Sequence, residues 1–429
     1  LAEERFDVVV VGGGPAGLSA AYFLSKAGFS VAVLERGGRL GSKNMFGGRI
    51  YSHVFDKYFP SGWRNEAPVE RWVRRERFSL LCKGQAVSIE YWASRSPGKY
   101  DSFTAFLTRF LEWMGSLVES EGGLIATGVK VDKLKISEGK VIGVEAGGDE
   151  LEAGYVLIAE GINTILLEQH GLRPRPRLES TAIGVKEVIR LSENTINERF
   201  NLSGSEGVAQ LFLGGFLKNA RGGGFLYTMK DYVTLGVVVR LGDIGSSEIS
   251  VRDVAEDLRL HPFIKSMLEG GVMVEYSAHL VREGGTRDLM DKPYGPGYMV
   301  LGDAAGYLLN TGFSIRGVDL AVETGRLAAE AAAKCLEKGG EPTCTSLYGE
   351  MLRRSTARRV LEKYRMLPEY MNNYRLYTIY PQLACSTLAG IYTTDEEPLK
   401  LWESLSRARK GKISLISMLM DLLRGVRAL

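Results

Sequence analysis

The order of apolar and polar positions divides the chain into three regimes. In the first, Val8 to Val11 form a short β-branched run of the kind a buried parallel strand needs. An amphipathic helix follows over roughly 15–27, and a second apolar strand, Val31 to Leu34, ends at Glu35. Between 102 and 121 the apolar residues Phe103, Phe106, Leu107, Phe110, Leu111, Met114 and Leu117 recur on one helical face, and Gly122 and Gly123 stop the helix. Strands are expected over 128–136, 140–146 and 150–159, and the last is apolar enough to return to the parallel sheet. In the second regime, from about 174 to 296, five β-rich segments alternate with glycine turns in an antiparallel rhythm. One helix, over 251–268, interrupts them. The third regime opens with a short buried strand over 298–301 and a helix over 316–337. A helical and basic tail begins near Thr345.

These patterns predict an α/β chain with a Rossmann-like domain of the glutathione-reductase type. It comprises residues 1–173 plus 297–344, with 54–100 inserted toward the substrate side. An antiparallel-sheet substrate domain spans 174–296, and a helical C-terminal region spans 345–429. With 429 residues and 45% hydrophobic content, the chain is long enough for several cores.

Gly12, Gly14 and Gly17 stand between the first strand and its helix at G-x-G-x-x-G spacing. Gly12 permits the tight turn, Gly14 lets backbone approach a pyrophosphate, and Gly17 lets helix and strand pack closely. Pro15 and Ala16 open the helix, whose N-terminus offers free N–H groups and a positive dipole end to phosphates. Glu35, 18 residues past Gly17, is placed to take a ribose hydroxyl. The glycine-dense stretch that follows Arg36 carries Ser42, Lys43, Asn44, Phe46, Gly47 and Gly48. It reads as a loop crossing near the dinucleotide, or else as a flexible connector. Arg109 sits among apolar residues, where it either snorkels to solvent or meets a phosphate. Late in the chain, Gly302-Asp303 ends a buried strand; the Asp suits a ribityl hydroxyl, or it simply caps the next helix.

That late element separates FAD from NAD, because the ribityl chain and isoalloxazine extend past the first half-domain. A flavin disulfide reductase would add a C-x-x-x-x-C pair and a second glycine fingerprint for NAD, and this sequence has neither. Net charge of +3 with 24% charged residues is too balanced to indicate nucleic acid. Cys82, Cys335, Cys344 and Cys385 lack C-x-x-C spacing, which argues against zinc or an iron–sulfur cluster held by this chain alone and fits a reducing, cytoplasmic compartment. Only four histidines and four glutamines occur, a bias associated with hot habitats. The first strand starts within ten residues of Leu1, so no cleavable signal is expected, and no stretch has membrane-helix character.

GGGPAG at 12–17, GSKNMFGG at 41–48, IAEG at 158–161, GGGFLYT at 222–228 and GDAAG at 302–306, followed by GFSIRGVDLA, together resemble the FixC-type flavoproteins. These are relatives of electron-transfer flavoprotein:quinone oxidoreductase within the geranylgeranyl-reductase-like superfamily. The resemblance covers nearly the whole chain. It implies an FAD subunit that accepts electrons from a two-subunit electron-transfer flavoprotein and delivers them to a quinone at the inner face of the cell membrane. Complexes of this type can bifurcate electrons between ferredoxin and quinone. The family's FAD contacts carry over to Ala16, Glu35, Phe46 to Gly48, Arg109, Asp303, Gly317 and Val318. Glu160 replaces the Asp common in the superfamily, and no direct contact is assigned to it. The flavin carries the redox chemistry, so no side chain is named as catalytic.

Fused quinone oxidoreductases of this family hold a [4Fe–4S] cluster in a C-terminal ferredoxin-like segment. Here only Cys385 lies after residue 344, so the resemblance implies a separate ferredoxin-like FixX-type subunit. The basic run 353–365 is a candidate dock for it, and the apolar stretch 414–423 with basic flanks is a candidate membrane or partner contact. Two other functions remain open: a prenyl-chain reductase acting on geranylgeranyl lipids, and a non-catalytic FAD-binding scaffold.

Overall fold

The computed structural model describes residues 5–43, 47–94, 102–244, 249–393 and 397–429. Its first sheet is organised around the strand Arg5–Val11, which pairs in parallel with Val31–Glu35 on one side and Asp149–Ile158 on the other. Leu124–Thr127 and Tyr298–Val300 extend it in parallel, and Tyr294–Gly295 adds a short antiparallel strand beyond the latter. Val8, Val9 and Val10 are completely buried, as expected of a strand covered on both faces. The helices Pro15–Lys26 and Val318–Glu337 pack side by side on this sheet, and Ser19 Oγ donates to the carbonyl of Val322 at 2.8 Å. A hairpin formed by Val131–Ser137 and Lys140–Ala146 hangs antiparallel from Asp149–Ile158.

The second sheet departs from expectation in composition and direction. Val272–Arg282, Thr181–Arg190, Tyr232–Arg240, Gly222–Thr228 and Glu206–Gly214 do run antiparallel in that order. The next strand, however, is Arg71–Cys82, which pairs with Glu206–Gly214 in parallel and carries Gln85–Trp92 on its other side. Ser102–Thr104 and Arg49–Tyr51 complete it. The sheet is therefore mixed, and the segment read as an insertion supplies two of its strands, Arg71–Cys82 and Gln85–Trp92. Residues 71–82 place four consecutive charged residues, Arg74 to Arg77, ahead of the apolar run from Phe78, so their pattern has no two-residue period that would say which sheet they join.

Two helix boundaries also move. The helix expected over 251–268 is two, Val251–Leu260 and Pro262–Leu268, broken where Pro262 forces His261 into extended backbone. The helix expected from residue 102 begins at Leu107, and Ser102–Thr104 is strand. Beyond residue 345 the chain is helical, ending in Leu415–Ala428, which runs five residues past the end of the apolar stretch 414–423. Among the described residues, no helix is long and apolar enough to cross a membrane.

The cysteines are paired. Cys82, at the end of its strand in the second sheet, is bonded to Cys385 in the helix Ile379–Tyr392, and Cys335 is bonded to Cys344. The sequence reading assigns these cysteines no pairing. A bridge spanning 303 residues leaves no spacing signature in a sequence.

Candidate functional site

A cavity of about 330 Å3 runs from the glycine turn of the first sheet to the inner face of the second. Gly12, Gly14, Pro15 and Ala16 line its near end with Glu35, Arg36 and Lys43. Gly12 takes φ +108°, and a side chain there would meet the Ala159 carbonyl at 2.4 Å. Gly17 lies under the turn: a Cβ would stand 2.0 Å from the Gly12 carbonyl. These two positions keep the turn flat against the strands. Gly14 is the N-cap of Pro15–Lys26 and offers no capping side chain, so the helix N-terminus is open to the cavity. Glu35 accepts hydrogen bonds from Gly13 N–H (2.8 Å) and Gly37 N–H (2.6 Å), which fixes its carboxylate beside the turn.

The far end is built from both sheets. Gly47, Gly48, Arg49 and Tyr51 meet Phe225 and Tyr227 of the strand Gly222–Thr228 there. The Phe225 and Tyr227 rings stack 5.5 Å apart, and Arg49 lies 4.7 Å from the Tyr51 ring while pairing with Glu76. Asp303, Gly317, Val318 and Asp319 close this end from the late elements. Gly302, at φ +58°, donates its N–H to Thr324 Oγ1 at 3.0 Å and turns the chain so that Asp303 faces the cavity. Burial pushes the Asp303 carboxyl above its ordinary pKa, opposed by Arg282, His279 and Arg173. Gly317 caps the 20-residue helix Val318–Glu337 without a side-chain acceptor, which leaves a second open helix N-terminus at the cavity wall.

The sequence-predicted residues thus divide. Gly12, Gly14, Pro15, Ala16, Glu35, Arg36, Lys43, Gly47, Gly48, Asp303, Gly317 and Val318 converge on one cavity, while Gly17 and Gly302 support its wall from behind. Ser42 is exposed and donates to the Arg39 carbonyl, away from the lining. Arg109 also lies off the cavity: its side chain is 61% exposed, 3.4 Å from Glu70 and over the Phe106 ring. Asn44 and Phe46 fall outside the described residues. Glu160 lines the cavity, but its carboxylate accepts the N–H groups of Leu166 (2.8 Å) and Leu167 (3.0 Å).

Sequence reasoning missed Arg49, Tyr51, Tyr227 and Asp319. Tyr227 stood in the GGGFLYT motif and Asp319 directly after Val318, so adjacency to named residues was the available signal. Asp319 is 1% exposed. Its Oδ2 accepts from Arg316 Nε at 2.8 Å and lies 3.6 Å from His53 Nε2, whereas its Oδ1 has no partner. An unmatched buried acceptor on a cavity wall is costly unless a ligand donor meets it. This orphan oxygen, two open helix N-termini and a glycine-lined cradle fit a dinucleotide carrying both phosphates and N–H or O–H donors.

A second cavity of about 200 Å3 adjoins the first and shares Phe225, Val238 and Ile315 with it. Its wall is largely apolar: Phe78, Leu211, Leu213, Phe313, Leu376 and the C-terminal Leu429 contribute, with Glu283 as its carboxylate.

Two family models match the chain. "FAD dependent oxidoreductase" covers residues 7–104, and "ETF-QO, ubiquinone-binding" covers residues 181–281. The chain is 38% identical to the probable electron transfer flavoprotein-quinone oxidoreductase YdiS of Escherichia coli (strain K12), with all of both chains covered. It is 35% identical to Protein FixC of Salmonella typhi over the same full extent. Among solved structures it resembles a geranylgeranyl bacteriochlorophyll reductase-like protein from Thermoplasma acidophilum, with TM-score 0.72 and 17% identity over 98% of this chain and 99% of that one. It also resembles the myxobacterial chondrochloren halogenase CndH, with TM-score 0.64 and 18% identity over 99% of this chain and 91% of that one. At these identities the two structures share the fold. The full-length relatives and the matched families together place this chain in the FixC and electron-transfer flavoprotein–quinone oxidoreductase family, as an FAD-dependent oxidoreductase.

Proposed function

We propose that this chain passes electrons from a two-subunit electron-transfer flavoprotein, through FAD in the first cavity, to a quinone in the second. The observation that carries the reading is the shared wall of Phe225, Val238 and Ile315, which sets an apolar chamber against a dinucleotide-shaped one. Leu211, Leu213, Phe225 and Val238 of that chamber lie inside the segment matched to the family's ubiquinone-binding model.

Bound FAD supplies the redox chemistry, and the protein supplies orientation, electrostatics and exclusion of water. Gly12, Gly14 and the N–H groups opening Pro15–Lys26 would hold the pyrophosphate. Glu35 would take the ribose and Asp303 the ribityl chain, and the open N-terminus of Val318–Glu337 with the unpartnered Asp319 Oδ1 would bind the remaining polar groups of the cofactor.

The partners implied by the family are the electron-transfer flavoprotein and a small ferredoxin-like subunit carrying the [4Fe–4S] cluster. Whether the assembled complex bifurcates electrons or relays them depends on those partners. A quinone is lipid-soluble, so the chain works peripherally at the inner face of the cell membrane. The helix Leu415–Ala428 supports this: Ile416, Leu419, Leu422 and Val426 are exposed, Lys410, Lys412, Arg424 and Arg427 flank or stud it, and Leu429 beside it lines the second cavity.

The test is purification from native cells followed by steady-state assays with a short-chain quinone. Co-purifying flavoprotein subunits and reduction of quinone by the reduced flavoprotein support the reading. A chain isolated alone that reduces geranylgeranyl lipid, and not quinone, overturns it in favour of a prenyl reductase. A flavin that is never reduced during turnover overturns it in favour of a scaffold.

A further inference from the structure

Glu283 is the one acidic side chain in the wall of the second cavity among the described residues. Its N–H donates to the Ser180 carbonyl at 2.8 Å, which fixes it one residue past the strand Val272–Arg282. The side chain is 8% exposed and loosely held. Oε1 accepts from Asn310 Nδ2 at 3.5 Å, and Oε2 stands 3.6 Å from Arg240 Nε, a buried N–H that has no hydrogen-bond partner. Arg240 is engaged instead through Nη1 with Asn372 Oδ1. The other groups facing Glu283 are Asp288, whose charge opposes its ionisation, and Tyr377, whose hydroxyl donates to the Met371 carbonyl at 2.9 Å. Burial outweighs Arg240 and pushes the Glu283 carboxyl above the usual carboxylate range.

The remaining wall is built from apolar side chains, glycines, Tyr370, Ser314 and the groups already named. Reduction of a quinone to a hydroquinone takes two electrons and two protons, and Glu283 is the one acidic side chain lining this cavity among the described residues. We propose that Glu283 donates a proton to one quinone oxygen, an assignment that rests on reading the second cavity as the quinone site. Two electrons come from the reduced flavin. The carboxyl O–H of Glu283 breaks as an O–H forms on the quinone oxygen, and the other oxygen takes its proton from the reduced flavin or from water. The Glu283 carboxylate is left beside Arg240, which stabilises it until water returns a proton. General acid catalysis of this kind is ordinarily worth about a hundredfold or more, and burial that favours the protonated carboxyl suits it to this role.

The experiment compares Glu283→Gln, Glu283→Asp and Leu211→Trp in the assembled holo complex with three readouts. These are flavin reduction by the donor, reduction of ferricenium (an acceptor that takes one electron and no proton), and reduction of a short-chain quinone across pH. Wild type should reduce quinone at a rate that is level at low pH and falls as pH rises through the Glu283 pKa. Glu283→Gln should lose about a hundredfold on quinone and the pH limb with it, while flavin reduction and ferricenium turnover stay unchanged. Glu283→Asp should keep the limb at a reduced rate. An infrared titration should show a carboxylic-acid band in wild type that is missing from Glu283→Gln. If Glu283→Gln does not retain flavin, the paired variant Arg240→Met, Glu283→Gln removes the stranded cation and carries the same comparison. Wild-type quinone rates and pH profile in the Gln variant overturn the assignment. Leu211→Trp, which fills the cavity, separates the two readings: if it blocks quinone while Glu283→Gln does not, only the proton assignment falls. If it leaves quinone reduction intact, the cavity is not the quinone site and both fall.

Discussion

The α-carbon of Gly325 rests on the backbone of Ala16: a methyl group at 325 would lie 2.1 Å from the Ala16 carbonyl oxygen. Two helices separated by about 300 residues therefore touch at backbone level, and one end of the cofactor cavity rides on each. Gly325→Ala must push them apart. The expected result is a loss of about 1–3 kcal/mol of stability together with weaker retention of FAD. Thermal melts with and without added FAD check this, and an unchanged melting temperature and flavin content would refute the coupling.

Glu35 is expected to matter through its charge as much as its shape. Both of its oxygens accept backbone N–H groups. Glu35→Gln leaves one N–H facing an amide NH2 instead of an oxygen. Losing one charge-assisted bond should cost roughly 1.5–3 kcal/mol, a tenfold or greater fall in FAD affinity. Fluorescence titration of the apoprotein with FAD measures it.

Much of this site is legible in the sequence because its signals are local. Strand, glycines, helix and Glu35 occupy 30 consecutive residues, so period and spacing locate them without tertiary knowledge. Asp303 is legible for the same reason, at the end of a short buried strand, whereas Gly317 and Val318 rest on the family resemblance alone. Arg49, Tyr51 and Glu283 were not, because they become site residues only through pairings of distant strands. Arg71–Cys82 joins the second sheet by a parallel pairing with Glu206–Gly214, across more than 120 residues. A local pattern sets neither that register nor the 303-residue bridge from Cys82 to Cys385.

The two disulfides make a direct prediction. Alkylation of the unfolded, unreduced protein should modify none of its four cysteines, and prior reduction should expose all four. Removing the long bridge by Cys385→Ser releases the helix Ile379–Tyr392 from the second sheet. A loss of about 2–5 kcal/mol is expected, read as a lower melting temperature.

Asp421 gives the C-terminal helix a pH dependence. Arg375, 2.6 Å away, and the Tyr380 hydroxyl hold its carboxyl down at about 2. A pKa depressed by folding stabilises the native state above the unfolded value of about 3.9, and that contribution disappears as pH falls through the folded value. Helix protection in hydrogen exchange should therefore drop between about pH 4 and pH 2. Asp421→Asn should be weakened already at neutral pH and lose this dependence.

The exposed face of Leu415–Ala428 predicts association with lipid. Replacing Ile416, Leu419, Leu422 and Val426 by serine keeps Leu429 in the cavity wall and removes the apolar surface. Flotation with anionic liposomes should fall several-fold while turnover with a water-soluble quinone analogue persists. Unchanged flotation would place the anchor elsewhere.

The topology of the first sheet also sets a timetable. Its central strand and glycine turn emerge from the ribosome early, but Asp303 and Gly317 are polymerised about 290 residues later. At roughly 5–20 residues per second that interval is about 15–60 s. Throughout it the nascent chain carries half a nucleotide cradle with nothing to close it. With FAD placed as proposed, a chain stalled before the late helix should fail to retain flavin, and cofactor capture should await the end of translation.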